Sequence, residues 1–442
     1  MTIVEEVLGK RENAYAVWRD DGDEELVRTT CVRQTRNGAE VFVMMDGKGR
    51  IMYELSDFLT RDLMRDAKNT ATIAVCAMKA LSNFCQIIRL PFDEFQEEHA
   101  RAYLQFLRGT LGEGASYAFR LETYRSERTV SAYLNFARRY AKRTGVANSP
   151  FLEKRSVFMR GGMGADYGMV SVHAIKANVV EPKEAPRYVS KEDFRAVVDE
   201  IDRNWGIEER CIVRLMYEHG LRIGEVLGLT TEDIEWRTDS YGLPVCSVVL
   251  RNRVSDEYFQ MAKCLKPVRD RREYRSPDYM TEDVGYQRVY ISKSLYFDIT
   301  DCMEELLPDF DPSCPSRADS VKKERKEKGN QYVFVNRRGK PLRQGTWNER
   351  LRRIMTAAGL HVDKGCRRTN LSHRFRHGYA MFLSHEAKID GEPLDGWKVM
   401  RLMRHRSLSS TEIYQRPTAE DIAWLQREVL TPQQEALYGH VD

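Results

Sequence analysis

Apolar residues recur along most of this chain at helical spacing and alternate only in short runs. Residues 70–88 place Ala74, Ala77, Met78, Leu81, Phe84, Cys85 and Ile88 on one face behind Thr70, a candidate helix cap. Phe95, His99, Ala102, Tyr103, Phe106 and Leu107 repeat the spacing, as do Val130, Tyr133, Leu134, Ala137 and Tyr140. Together they predict a small helical domain over residues 61–145. Before it, residues 41–55 read as two short strands around an Asp46-Gly47-Lys48-Gly49 turn, so residues 1–60 are expected to be an extension carrying a β-hairpin. Residues 146–187 hold Pro150, Gly161-Gly162, Gly164, Gly168, Pro182 and Pro186 with little periodicity, and predict a linker. A second domain, 188–442, opens at Ser190-Lys191-Glu192-Asp193, a capping box with Asp in the usual Glu position. Helices follow to about residue 229, then strands at 245–250 and 287–291, then more helices. The fold class expected is mainly α with a small β-sheet (α+β). There is no internal repeat, and residues 321–328 read as an exposed charged stretch.

A hydrophobic fraction of 42% with 10% aromatics supports packed cores, and 442 residues imply more than one of them. The net charge of +4 does not by itself point to nucleic acid, so a DNA partner requires local basic clusters. Two exist. Arg337, Arg338, Lys340, Arg343, Arg350, Arg352 and Arg353 face one acid, Glu349, over residues 337–353; Lys398, Arg401, Arg404, Arg406 and Arg416 face Glu412 over 398–416. Either run alone is also what a solvated basic face looks like. The nine cysteines form no CxxC pair or Cys/His finger, and read as core residues in a reducing compartment. No apolar run flanked by positive charge opens the chain, and no run of eighteen apolar residues occurs, so no membrane association and a cytoplasmic location are expected.

Three segments of the second domain can carry chemistry. In 215–229 one helix ends at Gly220 and another starts near Arg222, placing a guanidinium where backbone N–H groups favour an anion. In 372–380, His373 and Arg376 share a helix face with His377 beside them. In 402–414, His405 stands nine residues before Tyr414. Each has an ordinary reading by itself: Arg222 in an ion pair with Glu225, a polar helix surface at 373–377, and one tyrosine among 21. Their order and spacing together are what matter.

That order resembles the tyrosine recombinase (phage integrase) family over residues 185–425. Its pattern has Arg inside a Gly-Leu-Arg-x-x-Glu turn, a lysine in a β-hairpin, His-x-x-Arg-His on a later helix, then His and, nine residues on, Tyr. Here these stand as Gly220-Leu221-Arg222 with Glu225, His373 through His377, then His405 and Tyr414. The block at 61–145 is similar in helix count to the family's core-binding domain. The resemblance implies site-specific recombination, integrating or excising a mobile element with no metal and no cofactor. Tyr414 would attack a DNA phosphate to give a 3′-phosphotyrosyl link, and paired sites would exchange through a four-way junction.

The residue types suit that chemistry. A five-coordinate phosphorus concentrates negative charge on its non-bridging oxygens, and arginine offers a planar fork of donors that keeps its charge. The resemblance gives this role to Arg222 and Arg376, a hydrogen bond to the same oxygens to His405, base catalysis to His373, and orientation of the arginines to His377 and Glu225. Ionising a free phenol at neutral pH costs roughly 4 kcal/mol, which arginines and a base can offset. The resemblance takes the proton for the leaving 5′-oxygen from a hairpin lysine; here the strands at 245–250 and 287–291 enclose an insert longer than a tight hairpin, and within it Lys263 is assigned by its similarity to an Ala-Lys that follows the second strand in some mobile-element integrases, with Lys266 as the alternative. Two features depart from the pattern: Arg404 replaces the usual glycine before the second histidine, and 384–397 is a longer connection than usual.

The implied partners are duplex recombination sites, further copies of the chain in a tetramer on DNA, and an accessory DNA-bending or directionality factor. The amphipathic segment 419–430 would dock on a neighbouring protomer. A type IB topoisomerase, acting alone to relax supercoils, and a DNA-binding regulator without catalysis are the two rivals. Plasmid relaxation and covalent trapping, respectively, separate them.

Overall fold

A computed structural model of the chain describes residues 2–7, 14–19, 22, 24–36, 39–62, 68–109, 117–159, 168–179, 186–253, 265, 266, 268, 271–304, 319, 320, 322, 323, 326, 331–360, 362, 371–416 and 430. It divides into two compact units, Met1–Glu181 and Pro182–Asp442.

Among its described residues the first unit combines a four-stranded sheet and two hairpins with four α-helices. Strands β1 (Thr2–Glu6), β2 (Ala14–Trp18) and β3 (Glu24–Arg28) form an antiparallel meander. One hairpin pairs β4 (Thr30–Arg36) with β5 (Ala39–Met45). Helices α1 (Tyr53–Asp62), α2 (Lys68–Ile88), α3 (Glu97–Arg108) and α4 (Glu127–Thr144) supply the helical layer. A short strand between α3 and α4, β6 (Tyr117–Arg120), pairs in parallel with β1. Val4, Tyr15 and Val17 of the sheet therefore share one core with Phe84, Tyr103 and Phe106 of the helices. The window Thr70–Ile88 is long and apolar enough to cross a membrane, but 56% of it is buried as the central helix of that core.

Two local expectations differ from what forms. Only the first strand of the 41–55 pair exists. After Asp46 closes a turn by accepting the Lys48 and Arg50 amides at 2.9 Å each, Ile51 makes a single bridge to Met45 and α1 begins. Leu55, Phe58 and Leu59 fall on one helical face there and are buried, and that face outweighs the strand pattern. The segment expected as a linker holds an antiparallel hairpin, β7 (Lys154–Met159) and β8 (Gly168–His173), flanked by Phe151 and Ile175 in the first core. Its glycine run at 161–164 lies outside the described residues.

In the second unit, α5 (Lys191–Asn204) starts at the predicted box: the Ser190 hydroxyl accepts the Asp193 amide at 3.0 Å and the Asp193 carboxylate accepts the Ser190 amide at 3.4 Å. Helix α6 (Ile207–Tyr217) is the hub, with Cys211, Ile212, Val213, Leu215 and Met216 fully buried. A short helix, α7 (Ile223–Leu227), leads to the sheet of β9 (Ile234–Thr238), β10 (Pro244–Arg251) and β11 (Tyr286–Ile291), with β10 central and all pairings antiparallel. Helices α8 (Lys293–Glu304), α9 (Gln344–Ala357) and α10 (Leu371–Met381) complete the core. A two-residue hairpin of β12 (Lys388–Ile389) and β13 (Glu392–Pro393), then α11 (Gly396–Leu402) and α12 (Ser409–Glu412), follow.

Candidate active site

Gly220 makes the site possible. It follows α6 in the left-handed conformation, φ 61°, and a Cβ there would stand 2.3 Å from the Tyr379 ring of α10. Only glycine satisfies both conditions. The turn delivers Arg222 to the start of α7, where its backbone N–H donates to Glu225 Oε2 (2.8 Å) and its Nη1 to Oε1 (2.6 Å). The anion expected at this helix start is thus Glu225 itself. Burial opposes charge on Glu225, but Arg404, Arg222 and Arg376 outweigh it and hold the carboxyl down to about 2.

Helix α10 supplies the next three groups. Arg376 is buried and donates through Nη1 to the Gly220 carbonyl and through Nη2 to the Met403 carbonyl. Burial, with Arg404 and Arg222 nearby, brings its guanidinium down to about 9. These contacts tie α10 to the turn after α6 and to the end of α11. One turn before Arg376, the His373 ring lies 5.5 Å from that of His377.

Tyr414 is 3% exposed, two residues beyond α12. Its hydroxyl shares a 2.8 Å hydrogen bond with His377 Nδ1, and its ring stacks on His405 at 6.0 Å. Burial raises its hydroxyl above the usual phenol range against the pull of Arg376 and Arg222. Burial also lowers the imidazoles, His377 to about 4 and His405 to about 3, with neighbouring positive charge adding to the effect. Both are neutral near pH 7, so each ring has one donor and one acceptor nitrogen. His405 Nδ1 meets the Thr411 hydroxyl at 3.0 Å; with that hydroxyl donating, Nε2 keeps the proton that a phosphate oxygen would accept.

The fold therefore gathers Arg222, Glu225, Arg376, His377, His405 and Tyr414, with His373 beside His377. Three placements go beyond the sequence reading. His377, expected to orient the arginines, reaches the Tyr414 hydroxyl instead. His385, from the longer connection after α10, meets the Tyr414 carbonyl at 2.8 Å through Nε2. Arg404 is buried among the site residues rather than on a basic face. Lys263 and the segment 419–429 lie outside the described residues. Lys266 is described, and its Nζ pairs with Asp278 at 2.9 Å.

The sequence model of the phage integrase family matches residues 312–421, the stretch that contains His373, Arg376, His377, His405 and Tyr414. Over that stretch the chain resembles the phage integrase, or tyrosine recombinase, family. A curated member, tyrosine recombinase XerC of Chlamydia muridarum (strain MoPn / Nigg), is 26% identical over 168 residues, which cover 38% of this chain and 43% of XerC. The match thus spans less than half the length of that relative. Among solved structures, XerH site-specific recombinase bound to difH substrate aligns over 86% of this chain and 85% of its own at 16% identity, TM-score 0.47. The Tn1549 transposon integrase in complex with transposon right end DNA aligns over 85% and 99% at 11% identity, TM-score 0.48. A lambda integrase dimer bound to a COC′ core site aligns over 83% and 95% at 12% identity, TM-score 0.45. Arg222 and Glu225 lie outside the segment matched by the family model, and the carboxylate they share brings them into the same site.

Proposed function

We propose that this chain is a site-specific DNA recombinase that cuts and rejoins strands through Tyr414. One observation carries the reading: a buried tyrosine hydroxyl is bonded to a neutral imidazole beside two arginines anchored on shared acceptors. In the proposed reaction the Tyr414 oxygen attacks the scissile phosphorus, its proton passes to His377 or onward to His373, and the bond from phosphorus to the 5′-oxygen breaks. Arg222, Arg376 and His405 hold the non-bridging oxygens, where fixed donors act most strongly on the charge that develops. A lysine between β10 and β11 in the sequence, Lys263 or Lys266, protonates the leaving oxygen. The product is a 3′-phosphotyrosyl ester that keeps the energy of the phosphodiester, so a 5′-hydroxyl reverses the step without ATP.

Exchange between paired sites of a mobile element, by four copies of the chain through a four-way junction, extends the same reading, as do an accessory DNA-bending factor and a cytoplasmic location. The exposed arginines 337, 338, 352, 353 and 406 offer phosphate contacts, so affinity should fall steeply with salt.

The test is covalent trapping on nicked suicide duplexes from the ends of the host element, in EDTA and without ATP. Wild type should give a protein–DNA band that survives denaturation, and Tyr414→Phe should give none. A band that persists in the variant would reassign the nucleophile; binding without a band from wild type would favour a regulator.

A further inference from the structure

Arg404 stands where the family pattern has glycine, and its backbone keeps the glycine-like conformation, φ 54°. A long charged side chain at such a position would ordinarily reach for water. This one turns inward and is buried. Its Nη2 donates to the Gly220 carbonyl at 2.8 Å and approaches Glu225 Oε2 at 3.3 Å, while Nη1 lies 3.4 Å from the His219 carbonyl and 3.3 Å from that of Leu402. Gly220 is also the carbonyl that holds Arg376, and Glu225 the carboxylate that holds Arg222. Arg404 thus touches both anchors of the arginines assigned to the phosphate.

We infer that Arg404 is a positioning residue of the cleavage site, fixing Arg222 and Arg376 through their shared acceptors and adding a third positive charge behind them. The inference rests on the function proposed above. Charge balance gives it direction. Three arginines and one carboxylate sum to +2, and removing Arg404 leaves +1. A phosphodiester carries one negative charge, and the five-coordinate state formed by an attacking tyrosinate carries two. The added charge is therefore worth more in the transition state than with bound substrate, which is the condition for accelerating a step rather than tightening binding.

The test compares wild type, Arg404→Gly and Arg404→Lys on a nicked suicide duplex and on the same duplex with a neutral methylphosphonate at the scissile position. Glycine suits the φ of residue 404, so R404G should fold, and by gel shift it should bind the duplex as wild type does. Its cleavage rate should fall about ten- to a hundredfold, up to the roughly hundredfold that a misplacement of about 1 Å can cost. R404K keeps the charge and should recover part of that rate; it serves as the comparison if R404G does not fold. On methylphosphonate, which offers the arginines one charge-bearing oxygen instead of two, less of the rate depends on placing both, so the loss should shrink. Wild-type cleavage by R404G, or an equal loss on both substrates, would overturn the inference while leaving the recombinase reading intact. A wild-type protein that forms no covalent band would overturn the recombinase reading itself.

Discussion

Gly220 shows how much a single backbone position controls. Gly220→Ala would force alanine into φ 61° and push its methyl into the Tyr379 ring. The left-handed conformation and the overpacking together should cost roughly 2–4 kcal/mol. Urea unfolding at neutral pH measures it, and an alanine variant as stable as wild type would contradict the packing described. At this scale the sequence was legible as far as proximity goes: Arg222, Arg376, His405 and Tyr414, singled out by their order and its resemblance to a family pattern, lie in one cluster, with His373 beside His377. It was least legible where conformation decides. Replacement of glycine by Arg404 looked like a local irregularity, because a sequence does not state that φ stays positive or that the guanidinium turns inward. His377 and His373 sit on one helix, and only the path of the chain after α12 determines which of them meets Tyr414. Thr411, fully buried against His405, carried no signal beyond being a small polar residue near two candidates.

Among elements, the junction of α7 with the sheet is held by a fully buried carboxylate. Asp233 accepts both Arg253 terminal nitrogens, Nη2 at 2.6 Å and Nη1 at 2.8 Å, and also the Thr230 amide at 2.9 Å. Asp233→Ala would leave Arg253, held otherwise by the Thr230 hydroxyl and standing near a second arginine, Arg251, without its counter-charge, and should destabilise the chain by about 3–5 kcal/mol, the usual cost of breaking a buried pair from one side. Replacing both Asp233 and Arg253 with apolar residues should cost less than Asp233→Ala alone, a comparison that chemical denaturation resolves. The helices of both units and strands β10 and β11 were readable because their apolar positions repeat over long enough runs. The 41–55 and 146–187 segments were misread for one reason: short pieces rich in glycine or turn residues fit several local structures, and contacts from elsewhere choose among them. Tyr117–Arg120, which ties the N-terminal strands to the helices, is four residues long and shows no usable period.

Across the whole molecule, acid should be the weak side. His219 and His377 are held near 4 and His405 near 3, all below the ordinary imidazole value. In each case the unfolded chain binds a proton more readily than the folded one, so stability is full above about pH 6.5 and falls as pH drops toward 4. Each of the two more buried imidazoles, His219 and His377, contributes up to about 3 kcal/mol. Glu225, held at about 2, adds a further loss below pH 4.5. Thermal melts between pH 8 and 4 should record the decline, and His219→Asn should flatten it; a flat wild-type profile would contradict neutral buried histidines.

The burial of Tyr414 also makes the proposed nucleophile hard to label. Of the 21 tyrosines, Tyr241, Tyr53, Tyr124 and Tyr290 are 87%, 76%, 74% and 63% exposed, whereas Tyr414 is 3% exposed and its hydroxyl is held in the protonated form that nitrating reagents attack poorly. Brief treatment of the DNA-free protein with tetranitromethane should therefore decorate its surface and spare Tyr414, leaving a nitrated protein still able to form the proposed covalent bond.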